Sequence, residues 1–124
     1  MRGYFLTNMY LSSIQHGIQA AHCLQEINNN FPGNEILTDW AETHKTMYVL
    51  NGGTSEQMHG LLWLFKHSSN NLPWATFNEP SLDNALTCIG IIVPDYIYDR
   101  PEDNKPFSFE KELSSLLKSK RFAR

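Results

Sequence analysis

Four polar side chains recur along one segment at helical spacing: Gln15, Gln19, His22 and Glu26. Steps of four, three and four residues gather them into one stripe of an α-helix. An imidazole or a carboxylate can take a proton from water, and a primary amide can donate a hydrogen bond to an oxygen that gains negative charge. Asn8 lies one loop before this helix, where it can face the same cleft. The loop from Glu79 to Asn84 leads into an apolar run and supplies two carboxylates, Glu79 and Asp83. The candidate site is therefore His22, Glu79 and Asn8 for chemistry, with Gln15, Gln19 and Asp83 for binding. The competing reading is a solvated helix face, which surface helices normally carry.

No cofactor or metal is expected. His22 and Glu26, four residues apart, supply two ligands without a third. His44, His59 and His67 have no spacing that assembles a metal site, and His16 sits at the edge of the helix's apolar side. Cys23 and Cys88 read as small buried hydrophobes, because Cys23 falls in a helical pattern and Cys88 in an apolar strand pattern. There is no CxxC pair, phosphate-binding glycine loop or HExxH motif.

The elements that must position these groups follow from periodicity. Arg2 to Asn8 reads as a strand, and Ser12 or Ser13 can cap a helix from about Ile14 to Asn30. Gly17, Ala20, Ala21, Leu24, Ile27 and Phe31 form its expected apolar side. Asn34 can cap a shorter helix from Glu35 to about Thr43. Lys45 to Asn51 is a second strand, broken by Gly52-Gly53. Thr54 and Gln57 have the spacing of a capping box for a helix that ends near Ser68. Trp74 to Phe77 is a short strand, and Leu86 to Val93 is apolar enough to be covered on both faces. Arg100 to Pro106 reads as a charged linker, and Ser108 caps a last helix from Phe109 to about Lys118. Trp40, Trp63 and Trp74 are expected to pack the core. The order β-α-α-β-α-β-β-α implies an α/β three-layer sandwich with a four-stranded mixed sheet and helices on both faces.

A chain of 124 residues suits a single domain able to bury a core unaided. No stretch approaches the roughly 20 apolar residues of a membrane helix. The start lacks a secretory leader's pattern, so a cytoplasmic protein with no membrane contact is expected. Lys118, Lys120, Arg121 and Arg124 crowd the end of the chain, where they read as a frayed, solvated helix terminus or, alternatively, as a contact for an anionic partner. The rest holds six basic and thirteen acidic side chains, which does not advertise a surface for phosphates.

A strand ending in Asn8, a polar loop and the helix IQHGIQAAHCLQE together resemble the opening of the archaeal and eukaryotic type of peptidyl-tRNA hydrolase. That family's helix reads roughly KxAAQxxHA, and Gln19 and His22 fall on its glutamine and histidine. Trp40 ahead of a strand that begins at Lys45, and the strand LTCIG from Leu86 to Gly90, are similar to later family segments. The resemblance spans roughly residues 3 to 94. It implies hydrolysis of an acyl or peptidyl ester on tRNA, and it makes a homodimer plausible. Ester hydrolysis needs an activated water and a stabilised oxyanion. On this resemblance His22 or Glu79 serves as base, while Asn8 and Gln19 donate to the oxyanion.

The sequence also departs from the family. Gln15 stands where the family has a lysine, and Asn8 where it has an aspartate. Glu79 or Asp83 replaces the aspartate of an Asp-Ala-Gly segment, and the threonine that follows it has no clear match. A binding or regulatory module that reuses the fold without catalysis is the alternative expectation.

Overall fold

The computed structural model describes residues 1–68, 70–99 and 108–124; the linker expected over 100–106 lies outside them. The strands β1 (Arg2–Asn8), β2 (Met47–Gly53), β3 (Trp74–Glu79) and β4 (Ala85–Val93) form one sheet in the order β2-β1-β4-β3. β1 and β2 are parallel, whereas β4 is antiparallel to both β1 and β3. The sheet is mixed, as expected, and the short β3–β4 connection makes those strands antiparallel neighbours.

The helices are α1 (Ser13–Asn30), α2 (Glu35–Asp39), α3 (Ser55–Lys66), α4 (Asp95–Tyr98) and α5 (Phe109–Ser119). They cover both faces. Phe5, Cys88 and Ile92 point from the sheet toward Ala20, Cys23 and Ile27 of α1 and toward Leu37 and Trp40. Tyr4, Leu6, Ile89 and Ile91 point the other way, to Met58 and Phe65 of α3, Ile97 of α4 and Leu113 and Leu117 of α5. Alternation along β1 and β4 thus feeds two cores, and β4 is buried from Leu86 to Val93.

Side-chain caps start the helices where polar residues precede apolar periodicity. Ser12 accepts from the Gln15 N–H, Asn34 from Leu37 and Ser108 from Lys111. Thr54 and Gln57 complete a reciprocal capping box.

Several features depart from what the sequence implies. The helix after Asn34 does not run uniformly to Thr43: it widens into a π-turn over Trp40–His44 and ends with Lys45 in the left-handed region at φ 61°. That turn carries the Trp40 indole N–H to the Thr46 carbonyl at 2.7 Å, and β2 starts at Met47 rather than Lys45. β2 also continues through Gly52-Gly53, because Gly53 takes up the turn at φ 95°. β3 extends to Glu79, and Pro80–Leu82 form a 3-10 turn. Trp63 is 62% exposed and stacks on the His67 ring instead of packing the core.

The end of the chain is not a solvated helix terminus. After α5 the backbone turns extended at Lys120 and lies antiparallel along the outer edge of β2. The Asn51 N–H donates to the Arg121 carbonyl at 2.7 Å, and the Ala123 N–H to the Val49 carbonyl at 3.0 Å. These bonds satisfy backbone groups that an edge strand leaves open.

Candidate functional site

The first long helix sits on the sheet in a different phase from the one its apolar residues imply. Its buried residues are His16, Gln19, Ala20, Cys23 and Ile27, whereas Gly17 and Ala21 are exposed. Two polar side chains therefore face the sheet, and each meets a threonine. The His16 Nδ1 lies 2.6 Å from the Thr7 hydroxyl at the end of β1. The Gln19 Oε1 accepts from the Thr87 hydroxyl of β4 at 2.7 Å. These partners offset the desolvation of the two groups, which a buried polar atom without a partner would suffer in full.

A bulge in β4 makes the second contact. Phe77 pairs with Cys88 but Asn78 pairs with Leu86, leaving Thr87 as an extra residue between them. Leu86 belongs to one core and Cys88 to the other. The inserted Thr87 turns its hydroxyl toward α1, also 3.2 Å from the Phe77 carbonyl. Gln19 is 1% exposed, and its Nε2 donates to the Gln15 Oε1 at 3.1 Å. A chain of hydrogen bonds thus runs from the sheet through Gln19 to the half-buried Gln15 at the start of α1.

His22 lies one turn further along. It is exposed, and its ring stacks on Phe77 with centroids 4.5 Å apart and planes 9° from parallel. Its ring nitrogens make no hydrogen bond among the described residues. Alternation along β3 sends Glu79 to the same side as Phe77, displaced toward the start of α1. The Glu79 carboxylate accepts from the Ser81 hydroxyl at 2.7 Å. Asp83 occupies the left-handed region at φ 52° in the exposed turn before β4.

The structure brings together Gln15, Gln19 and His22 along α1, with Glu79 on the same side. Asn8 is separated from them. Its Nδ2 donates to the Ser55 hydroxyl at the start of α3, and its Oδ1 accepts from the Tyr10 N–H, each at 3.0 Å. α3 packs on the opposite face of the sheet, so the Asn8 amide ties β1 to that helix and takes no part beside His22. The stripe is also not a uniformly wet face, since Gln19 is within the protein.

Thr7 and Thr87 escaped the sequence reading because both lie in strands that look apolar. Nothing in the sequence pointed to them, because packing decides which side of α1 meets the sheet and so which strand residues must partner His16 and Gln19. No group of three or more metal-binding side chains converges among the described residues, and no described helix is long and apolar enough to cross a membrane.

No protein-family model matches the chain, and no curated protein matches it.

Proposed function

We propose that this chain is a divergent, cytoplasmic peptidyl-tRNA hydrolase-like protein that takes an acyl or peptidyl ester at the start of α1. The observation that supports this reading is the anchored Gln19 amide. The residue that coincides with the glutamine of the resembled family is buried, and Thr87 fixes its orientation. Its Nε2 points at Gln15, whose own side chain is half-buried and displaceable. An ester carbonyl that replaced the Gln15 oxygen would meet an oriented donor, as stabilisation of an oxyanion requires. His22 and Glu79 are the groups on that side able to take a proton from water. Without the family's lysine, no cation assists, so slow turnover follows from the residues present.

A non-catalytic binding module is the second reading. It is favoured by Asn8, whose amide is committed to Ser55 and Tyr10. Release of labelled peptide from peptidyl-tRNA separates the two. The first reading expects turnover that His22→Ala and Glu79→Ala abolish. Binding of peptidyl-tRNA in a gel shift without turnover supports the module, and the absence of both removes tRNA from the account. Assembly as a homodimer belongs to the same resemblance; sedimentation of the purified chain tests it.

A further inference from the structure

Docking of the chain's last residues on β2 creates a recess that neither element has alone. Met9, His16, Asn51, Arg121, Phe122 and Arg124 line a cavity of about 250 Å³. It opens at the carboxyl end of the parallel β1–β2 pair. α1 leaves β1 toward one face there, and α3 leaves β2 toward the other. Ligands of open α/β sheets gather at such divergences.

The side chains of Asn51, Arg121 and Arg124 bring donors to this recess. His16 is 4% exposed, and its Nδ1 is taken by the Thr7 hydroxyl. The same hydroxyl also lies 3.3 Å from the Leu50 carbonyl, so Thr7 ties the ring to β1 and β2 where it lines the recess. The Asn51 Oδ1 accepts from the Gly53 N–H at 2.8 Å, which leaves its Nδ2 as the available end. Among the described residues the Arg121 and Arg124 guanidinium groups form no ion pair, and no Asp or Glu side chain lines the recess. The surrounding field has the same sign. Arg2 and Lys120 line the adjoining pocket, with no Asp or Glu side chain among its described residues. With Arg121 and Arg124 they are four of the ten basic residues of an acidic chain. Concentrated in this way, cations raise the local concentration of an anion well above bulk.

We infer that this recess binds a phosphate group beside the His16 ring, with Arg121 and Arg124 supplying the charge and Asn51 supplying a directed hydrogen bond from the protein body. The chemistry matches tetrahedral phosphate, whose oxygens accept several donors at once. The inference does not depend on the hydrolase reading, because the ligand needs no ester carbonyl and none of the α1 residues of that reading takes part.

The test is a proton–nitrogen NMR titration of the whole chain at constant ionic strength, with chloride replaced by orthophosphate, by a nucleoside 5′-monophosphate, or by vesicles containing phosphatidate. Saturable shifts of the Asn51 side-chain amide and the His16 ring are expected. Arg121→Ala and Arg124→Ala should each weaken binding by about tenfold, as loss of a charge-assisted contact does. Lys66→Ala, on α3, should leave binding unchanged. Saturation by orthophosphate identifies the free ion, and saturation by one of the other two alone identifies the carrier. Shifts no larger than those in chloride, or shifts that persist unweakened in an Arg121→Ala/Arg124→Ala double variant with the wild-type spectrum, overturn the inference.

Discussion

The Thr87 hydroxyl reaches the Gln19 Oε1 at 2.7 Å across 68 residues of chain, joining the middle of α1 to a bulge in β4. The contact sets the phase of the helix. It also orients the buried Gln19 amide.

Removing either partner alone should be costly. Thr87→Val strands the Gln19 oxygen inside the protein and is expected to lower stability by about 1–3 kcal/mol in urea unfolding. Thr87→Ser should retain most of it. A Gln19→Met/Thr87→Val double variant should recover much of the loss, because two apolar groups leave nothing unpaired. Equal destabilisation by the single and double variants would show that the bond is not what matters there.

Gly90 leaves room on β4 for the Phe5 ring and for Cys23 of α1. A Cβ at this position would lie 2.8 Å from the Phe5 ring and 2.9 Å from the Cys23 Sγ. Gly90→Ala should therefore destabilise by about 1–3 kcal/mol through overpacking. Adding Phe5→Leu should relieve part of it, as a shift in thermal midpoint would show.

Cys23 and Cys88 are both fully buried and reduced. Burial pushes the Cys88 thiol well above its usual range, and a hydrogen bond with Cys23 adds to that. The native protein should resist iodoacetamide at mildly alkaline pH, with both thiols reacting once denaturant is added. Mass spectrometry of intact protein reads the result, and rapid native alkylation would contradict the packing of α1 on β4.

Tyr98 and Asp95 form a pair at the surface end of α4, with the hydroxyl donating to the carboxylate at 2.5 Å. Desolvation first, and then Asp95, push the Tyr98 phenol up to about 12. Its contribution is complete below the ordinary value of 10.0 and disappears as pH rises through about 12. Asp95 is lowered to about 2, chiefly by the Met1 amine and then by Tyr98. Its contribution is present above the ordinary 3.8 and is lost as pH falls through about 2. Tyrosinate absorbance during an alkaline titration should show a late step that Tyr98→Phe removes. Asp95→Asn should move that step toward neutrality.

Much of the scaffold was legible without coordinates because local chemistry dictates it. Ser12, Asn34, Thr54 and Ser108 cap helices with their own side chains, and the run from Leu86 to Val93 is too apolar for any place but a covered strand. Gln15, Gln19 and His22 were readable as one stripe because helical spacing alone sets that relation. Asn8 was not readable in the same way. A strand's last side chain can turn to either face, and only the position of Ser55 decides which.

What the sequence determined by itself was the alternation of elements, their caps and the two-sided burial of β4, since each follows from spacing along the chain. Tertiary structure alone decided the rest: which side of α1 meets the sheet, that Thr87 bulges to meet Gln19, and that the basic end pairs with β2 instead of fraying. Those outcomes depend on contacts between residues dozens of positions apart. Their free energy lies in hydrogen bonds and packing that exist only when both partners are in place. Charge shows the difference most plainly, because an acidic composition sums over the whole chain, whereas the fold sets Arg121 and Arg124 together at one edge.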